Sequence, residues 1–142
     1  MIVYFDTSSL IKLYVEEEGS FAVRELMASV EGAASSNVLR VELRGSLARM
    51  LRSSRLDGSA YDRARADFEQ DWPAMTIVPA TGVVVEQAAE LAERHFLKTL
   101  DAIHIASALA LSRRGEELVL SSWDRPLLDA AVAEGIRVIS VT

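Results

Sequence analysis

Four acidic residues sit where a carboxylate needs a reason. Asp6 ends the apolar run Ile2-Val3-Tyr4-Phe5, and Asp124 follows Leu118-Val119-Leu120 by way of Ser121-Ser122-Trp123. Glu42 lies among Val38, Val41 and Leu43 with small Gly45 close behind, and Asp101 opens the apolar stretch Leu100-Asp101-Ala102-Ile103-His104-Ile105-Ala106. Each has an ordinary structural explanation. Asp6 and Asp124 suit the N-caps of following helices, Asp101 suits a first-turn acid complementing a helix dipole, and Glu42 suits a helix edge paired with Arg49 or another Arg. Four such coincidences in one chain favour a shared site instead.

A shared site has an electrostatic problem to solve. Two carboxylates about 4 Å apart repel by roughly 4 kcal/mol at an effective dielectric near 20, so four together protonate or splay apart unless a cation intervenes. The chain has no Cys and two His, so hard oxygen ligands select Mg²⁺ or Mn²⁺ over zinc. Such an ion activates bound water and polarises a phosphoryl oxygen, which is the chemistry of phosphodiester hydrolysis. Thr7 and Ser122 place hydroxyls beside the acids, either to orient carboxylates and water or to cap helices. His104 stands three residues after Asp101, on the same helical face; the expectation is a partly buried side chain with local hydrogen bonds.

The elements that must position these groups follow from periodicity. Ile2 to Phe5 is a short β-rich run of the kind covered on both faces. Thr7 to Glu18 has helical spacing, closed by Gly19, and a second helix starts at Ser20 as N-cap and stops before Gly32. A weak strand, Ala33 to Ser36, precedes a long helix from Asn37 to Ser53. Asp57 to Trp72 is a polar helix broken by Pro73, and Thr76 to Val78 a strand. Val83 to Phe96 and Thr99 to Arg114 are helices, followed by a strand Leu118 to Leu120, a helix Pro126 to Glu134 and a last strand Ile136 to Val141. Strands alternating with helices, without hairpin signals, predict a three-layer α/β/α sandwich around a parallel five-stranded sheet. In such sheets ligands bind beyond the carboxyl ends of the strands, where Asp6 and Asp124 lie.

With 142 residues, half of them apolar, the whole chain 1–142 reads as one domain able to bury a core. Disorder, disulfide scaffolds and thiol catalysis are excluded by composition and by the lack of Cys. The apolar N-terminus lacks a basic flank and is interrupted by Asp6, so neither a signal peptide nor a membrane span is expected, and the protein reads as cytoplasmic. The net charge of −6 opposes nucleic acid on average, but seven of fifteen basic residues fall within positions 40–65. Arg40 and Arg44, and Arg49 and Arg52, share the helix of Glu42. They read either as a stripe guiding nucleic-acid phosphates or receiving an acidic partner, or as a solvated face.

Other phosphate-handling families fit poorly. A response-regulator receiver wants paired acids after the first strand, an Asp after the third and a Lys near the last, and a haloacid dehalogenase phosphatase wants an Asp where Ser8 stands. The segments Tyr4-Phe5-Asp6-Thr7-Ser8-Ser9-Leu10, Glu42-Leu43, Leu100 to Ala106 and Ser121-Ser122-Trp123-Asp124-Arg125-Pro126-Leu127 instead resemble, in order and spacing, the PIN-domain ribonucleases of the VapC toxin branch. The resemblance runs the length of the chain. It implies a Mg²⁺- or Mn²⁺-dependent endonuclease of single-stranded or looped RNA with Asp6, Glu42, Asp101 and Asp124 as the acidic set. It also implies a homodimer neutralised by a small VapB-type antitoxin. Ser122 replaces a frequent Thr and keeps its hydroxyl, while Trp123 is bulkier than usual. The competing expectation is a PIN-like protein-association module without catalysis.

Overall fold

The computed structural model describes residues 1–139. It alternates strands β1 (Ile2–Phe5), β2 (Gly32–Ser36), β3 (Thr76–Val78) and β4 (Leu118–Ser121) with helices α1 (Thr7–Leu10), α2 (Ser20–Ser29), α3 (Val38–Arg52), α4 (Gly58–Asp71), α5 (Gly82–His95), α6 (Thr99–Arg113) and α7 (Arg125–Ala133). All strand pairs are parallel, in the order β3-β2-β1-β4. Alternate residues of one strand feed opposite cores. Tyr4, Leu118 and Leu120 pack with α5, α6 and α7, whereas Val3, Phe5 and Val119 pack with α1 to α4. The three layers follow from strands that are apolar on both sides.

The sheet has four strands among the described residues, not five. The expected last strand, Ile136 to Val141, contributes a single bridge residue, Val138, beside Leu120, and positions 140–142 lie outside the described residues. Two hydrogen bonds hold that bridge, Leu120 N to Arg137 O and Ile139 N to Leu120 O. One bridge does not make a ladder, and the flanking Arg137 is exposed.

The expected helix Thr7 to Glu18 also ends early, in a 3-10 turn at Ile11–Leu13. Glu16, Glu17 and Glu18 would have stacked three negative charges on the negative end of the helix dipole. The chain loops back instead, and Lys12 Nζ pairs with Glu17 at 2.9 Å. Ser20 is not an N-cap; its hydroxyl donates to Val15 O and accepts from Glu17 N, stapling this loop, and Gly19 caps α2 at φ +91°. The Ala33 to Ser36 segment, weak by composition, is an interior strand, because Ala34, Ser35 and Ser36 are small enough to lie under helices on both faces. No described helix is long and apolar enough to cross a membrane.

Candidate active site

Connections from β1 run one way to β2 and β3, while β4 joins the opposite edge of β1. The strand order therefore reverses between β1 and β4, which is where open parallel sheets bind ligands. The two strand ends are stitched there: Ser9 Oγ and Ser121 Oγ are 2.6 Å apart, and Asp6 N donates to Ser121 O. A cleft of about 290 Å³ opens at this point. It is lined by Asp6, Glu42, Asp101 and Asp124 together with Thr7, Ser8, Ser46 and His104, and no Lys or Arg is among its lining residues. Four acids separated by up to 118 positions meet in one place.

Each carboxylate is held differently. Asp6, 4% exposed, accepts from Ser9 N (3.0 Å), from Ser8 Oγ on both oxygens (2.8 and 3.0 Å) and from Ser122 Oγ (2.6 Å). It is thus the N-cap of α1 and a cleft wall at once. Burial raises its pKa, opposed by His104 and by these hydrogen bonds. Asp124 likewise caps α7 through Leu127 N and faces the cleft. Asp101, in the first turn of α6, accepts no hydrogen bond among the described residues. Its pKa is pushed up to about 6, by burial first and then by the charges of Asp124 and Asp6.

Glu42 is not paired with Arg49. Its Oε1 accepts from Thr7 Oγ1 at 2.9 Å and from His104 Nε2 at 2.7 Å. The expectation of local hydrogen bonds for His104 is overturned: the ring is buried, and its other nitrogen meets the Tyr4 hydroxyl at 2.8 Å, with the rings edge to face. A carboxylate only accepts, so Nε2 carries the proton of the Glu42 bond. The resulting chain Tyr4–His104–Glu42–Thr7 joins β1, α6, α3 and α1. Ser8 was not singled out from sequence, yet it binds Asp6 and accepts from Trp123 N. Its only sequence signal is its place two residues after the strand-ending acid.

The arginines separate into two groups. Arg40 and Arg44 share one partner, Glu69 of α4, at 2.9 and 3.5 Å. Arg49 and Arg52 form no ion pair among the described residues, and Arg49 Nη2 donates to Ser46 Oγ on the cleft wall. Trp123 lies over Gly19 with the Lys12 ammonium 4.8 Å from its ring centre, so its bulk is absorbed by a missing side chain.

A hard divalent cation suits this donor set. The cleft offers carboxylate and hydroxyl oxygens, and the raised Asp101 pKa reports burial and then like charges, both of which a cation would offset. In the rotamers present, no three of these side chains converge on one point among the described residues, since hydroxyls and His104 occupy the oxygens of Asp6 and Glu42 Oε1. Glu42 Oε2 and the Asp101 carboxylate accept no hydrogen bond among the described residues, and turning them costs only rotamer changes.

The chain is similar to known proteins in sequence and fold. The PIN domain family model matches residues 3–122. Ribonuclease VapC45 of Mycobacterium tuberculosis is 39% identical over 137 residues, covering 96% of this chain and 94% of the relative. Among solved structures, M. tuberculosis VapC20, a Sarcin-Ricin loop cleaving toxin, superposes with TM-score 0.65 at 21% identity over 90% of this chain and 94% of its own. VapBC2 from Rickettsia felis, bound to a DNA fragment from its promoter, superposes with TM-score 0.67 at 13% identity over the full length of both chains. Family match and sequence identity agree, and the chain belongs to the PIN-domain family, within it to the VapC ribonucleases.

Proposed function

We propose that this chain is a divalent-metal-dependent endoribonuclease, the toxin of a VapBC-type pair, hydrolysing phosphodiester bonds in single-stranded or looped RNA. The observation that carries the reading is the meeting of Asp6, Glu42, Asp101 and Asp124 in one cleft at the β1/β4 switch point. Identity to VapC45 over nearly the whole chain supports the ribonuclease assignment. The whole chain acts as one domain, in the cytoplasm, as a homodimer, with a small VapB-type antitoxin as partner. The VapBC2 complex of R. felis, sharing this fold, supports the antitoxin.

The four carboxylates would hold Mg²⁺ or Mn²⁺. When bound, such an ion supplies a water of lowered pKa and polarisation of the scissile phosphate. The chain's own residues do the positioning. Ser8, Ser122 and Ser9 N hold Asp6 in one orientation, while Thr7 and His104 anchor Glu42 by Oε1 and leave Oε2 without a hydrogen bond among the described residues. Asp101 gains from a cation, because burial first and then the charges of Asp124 and Asp6 resist its ionisation.

The test is cleavage of cellular RNA by purified protein, with Asp6→Asn and Asp101→Asn beside the parent. The parent should cut in Mg²⁺ or Mn²⁺ and stop in EDTA, and both variants should be inactive with unchanged far-UV circular dichroism. Cleavage by either variant at the parental rate would remove these acids from the chemistry.

A further inference from the structure

Glu42, Ser46, Arg49 and Ser53 recur at spacings of four, three and four, one stripe along α3 and its C-terminal cap. The stripe leaves the acidic cleft at Ser46 and Met50 and enters a second recess of about 270 Å³, lined by Ser46, Arg49, Met50, Ser53 and Arg55. The two cavities share Ser46 and Met50 and differ completely in charge. The first carries four carboxylates; the second has two guanidiniums, two hydroxyls and no acid in its lining. Gly45 lies under Arg49, where an ideal Cβ would stand 3.3 Å from Nη1, so the missing side chain gives the guanidinium room to lie back toward Ser46. Arg55 is only loosely held, 3.9 Å from Glu17.

We infer that this recess is a phosphate subsite, holding a backbone phosphate of the RNA that flanks the one being cut. The inference rests on the ribonuclease reading above and deepens it. A polyanion approaching a chain of net charge −6 and a cleft of four carboxylates needs local cations beside the reacting bond. Arg40 and Arg44 share the single carboxylate of Glu69 and line neither the cleft nor the recess. Arg52 is outside both cavities. Arg49 and Arg55 are the guanidiniums that line the recess beside the cleft, and hydroxyls at Ser46 and Ser53 complete a donor set for phosphate oxygens. Ser46 and Arg49 stand on the same helix as Glu42, so one rigid element carries residues of both the cleft and the recess.

The experiment measures binding of a random-sequence, 12-nucleotide single-stranded RNA pool by fluorescence anisotropy as a function of salt, with Asp101→Asn as background to keep the RNA intact. Arg49→Ala and Arg55→Ala should each weaken binding roughly fivefold to tenfold at low salt and flatten the log–log salt slope by about 0.7, the value for one single-strand phosphate contact. Arg49→Lys should keep the slope, and Arg40→Ala and Arg44→Ala should leave slope and affinity unchanged. If the background protein binds RNA with a steep slope that Arg49→Ala and Arg55→Ala do not alter, the subsite is wrong and the ribonuclease reading stands. If the protein neither binds nor cuts RNA, both fall. Equal weakening toward a polyglutamate peptide of the same charge would assign the recess to acidic chains in general and overturn the RNA assignment.

Discussion

Asp101 shows how one residue can stabilise or destabilise the same protein according to what surrounds it. Its carboxyl titrates near 6 in the fold, against an ordinary value near 4, because burial and the Asp124 and Asp6 charges oppose ionisation. The folded chain therefore holds a proton that the unfolded chain has released between these values. This residue's favourable contribution is complete below about pH 4 and is lost as pH rises through about 6. The melting temperature in EDTA should fall between pH 5 and 7.5, and part of that fall should vanish in Asp101→Asn. At pH 7.5 the variant should be more stable than the metal-free parent by about 1 kcal/mol, a figure discounted for solvent screening. Identical pH profiles for the two proteins would contradict the crowding. His104→Ala poses the opposite case: it strips Glu42 Oε1 of one of two donors and the buried Tyr4 hydroxyl of its ring partner. We expect turnover to drop roughly tenfold to a hundredfold, as for groups that orient metal-binding carboxylates, with little change in KM for RNA. Full turnover in this variant would remove His104 from positioning Glu42.

At the level of elements, the loop between the 3-10 turn and α2 decides how the Trp123 side of the cleft is built. Gly19 combines a positive φ with a Cβ position that would lie inside van der Waals contact of the Trp123 ring. Gly19→Ala should cost about 2 kcal/mol from left-handed backbone and overpacking together. Urea unfolding measures this, and on a Trp123→Ala background the same Gly19→Ala substitution should cost only the backbone part. The neighbouring Lys12–Glu17 pair and the Lys12 contact with Trp123 explain why a Lys is tolerated at low exposure here.

For the molecule as a whole, the acidic cleft and the net charge of −6 make divalent cations ligands of the folded state alone. Mg²⁺ at a hundred times its Kd should stabilise the parent by about 2.7 kcal/mol through mass action. Thermal shifts should rise with Mg²⁺ or Mn²⁺ in the parent and be largely lost in Asp101→Asn. A parent whose melting ignores both ions would argue against a cation at the cleft. The two cores share one sheet, and the acids hang from both layers, Glu42 from α3 on one side and Asp101 from α6 on the other. Loosening either layer separates the set.

What the amino-acid order determined was local: apolar runs that make strands β1 and β4, acids at their ends, and Asp6 and Asp124 able to cap the next helix while facing outward. Those depend on neighbours within a few positions, which a linear reading resolves. The interior place of Ala33 to Ser36, the single bridge at Val138, and the junction of β4 with β1 depended on pairing across the sheet, which no local pattern encodes. The bonds of His104 to Glu42 and Tyr4, across 62 and 100 positions, and the pairing of Arg40 and Arg44 with Glu69 were likewise decided only when packing brought distant helices together. Chain separation carries no information about which faces meet; burial of apolar surface on both sides of the sheet does.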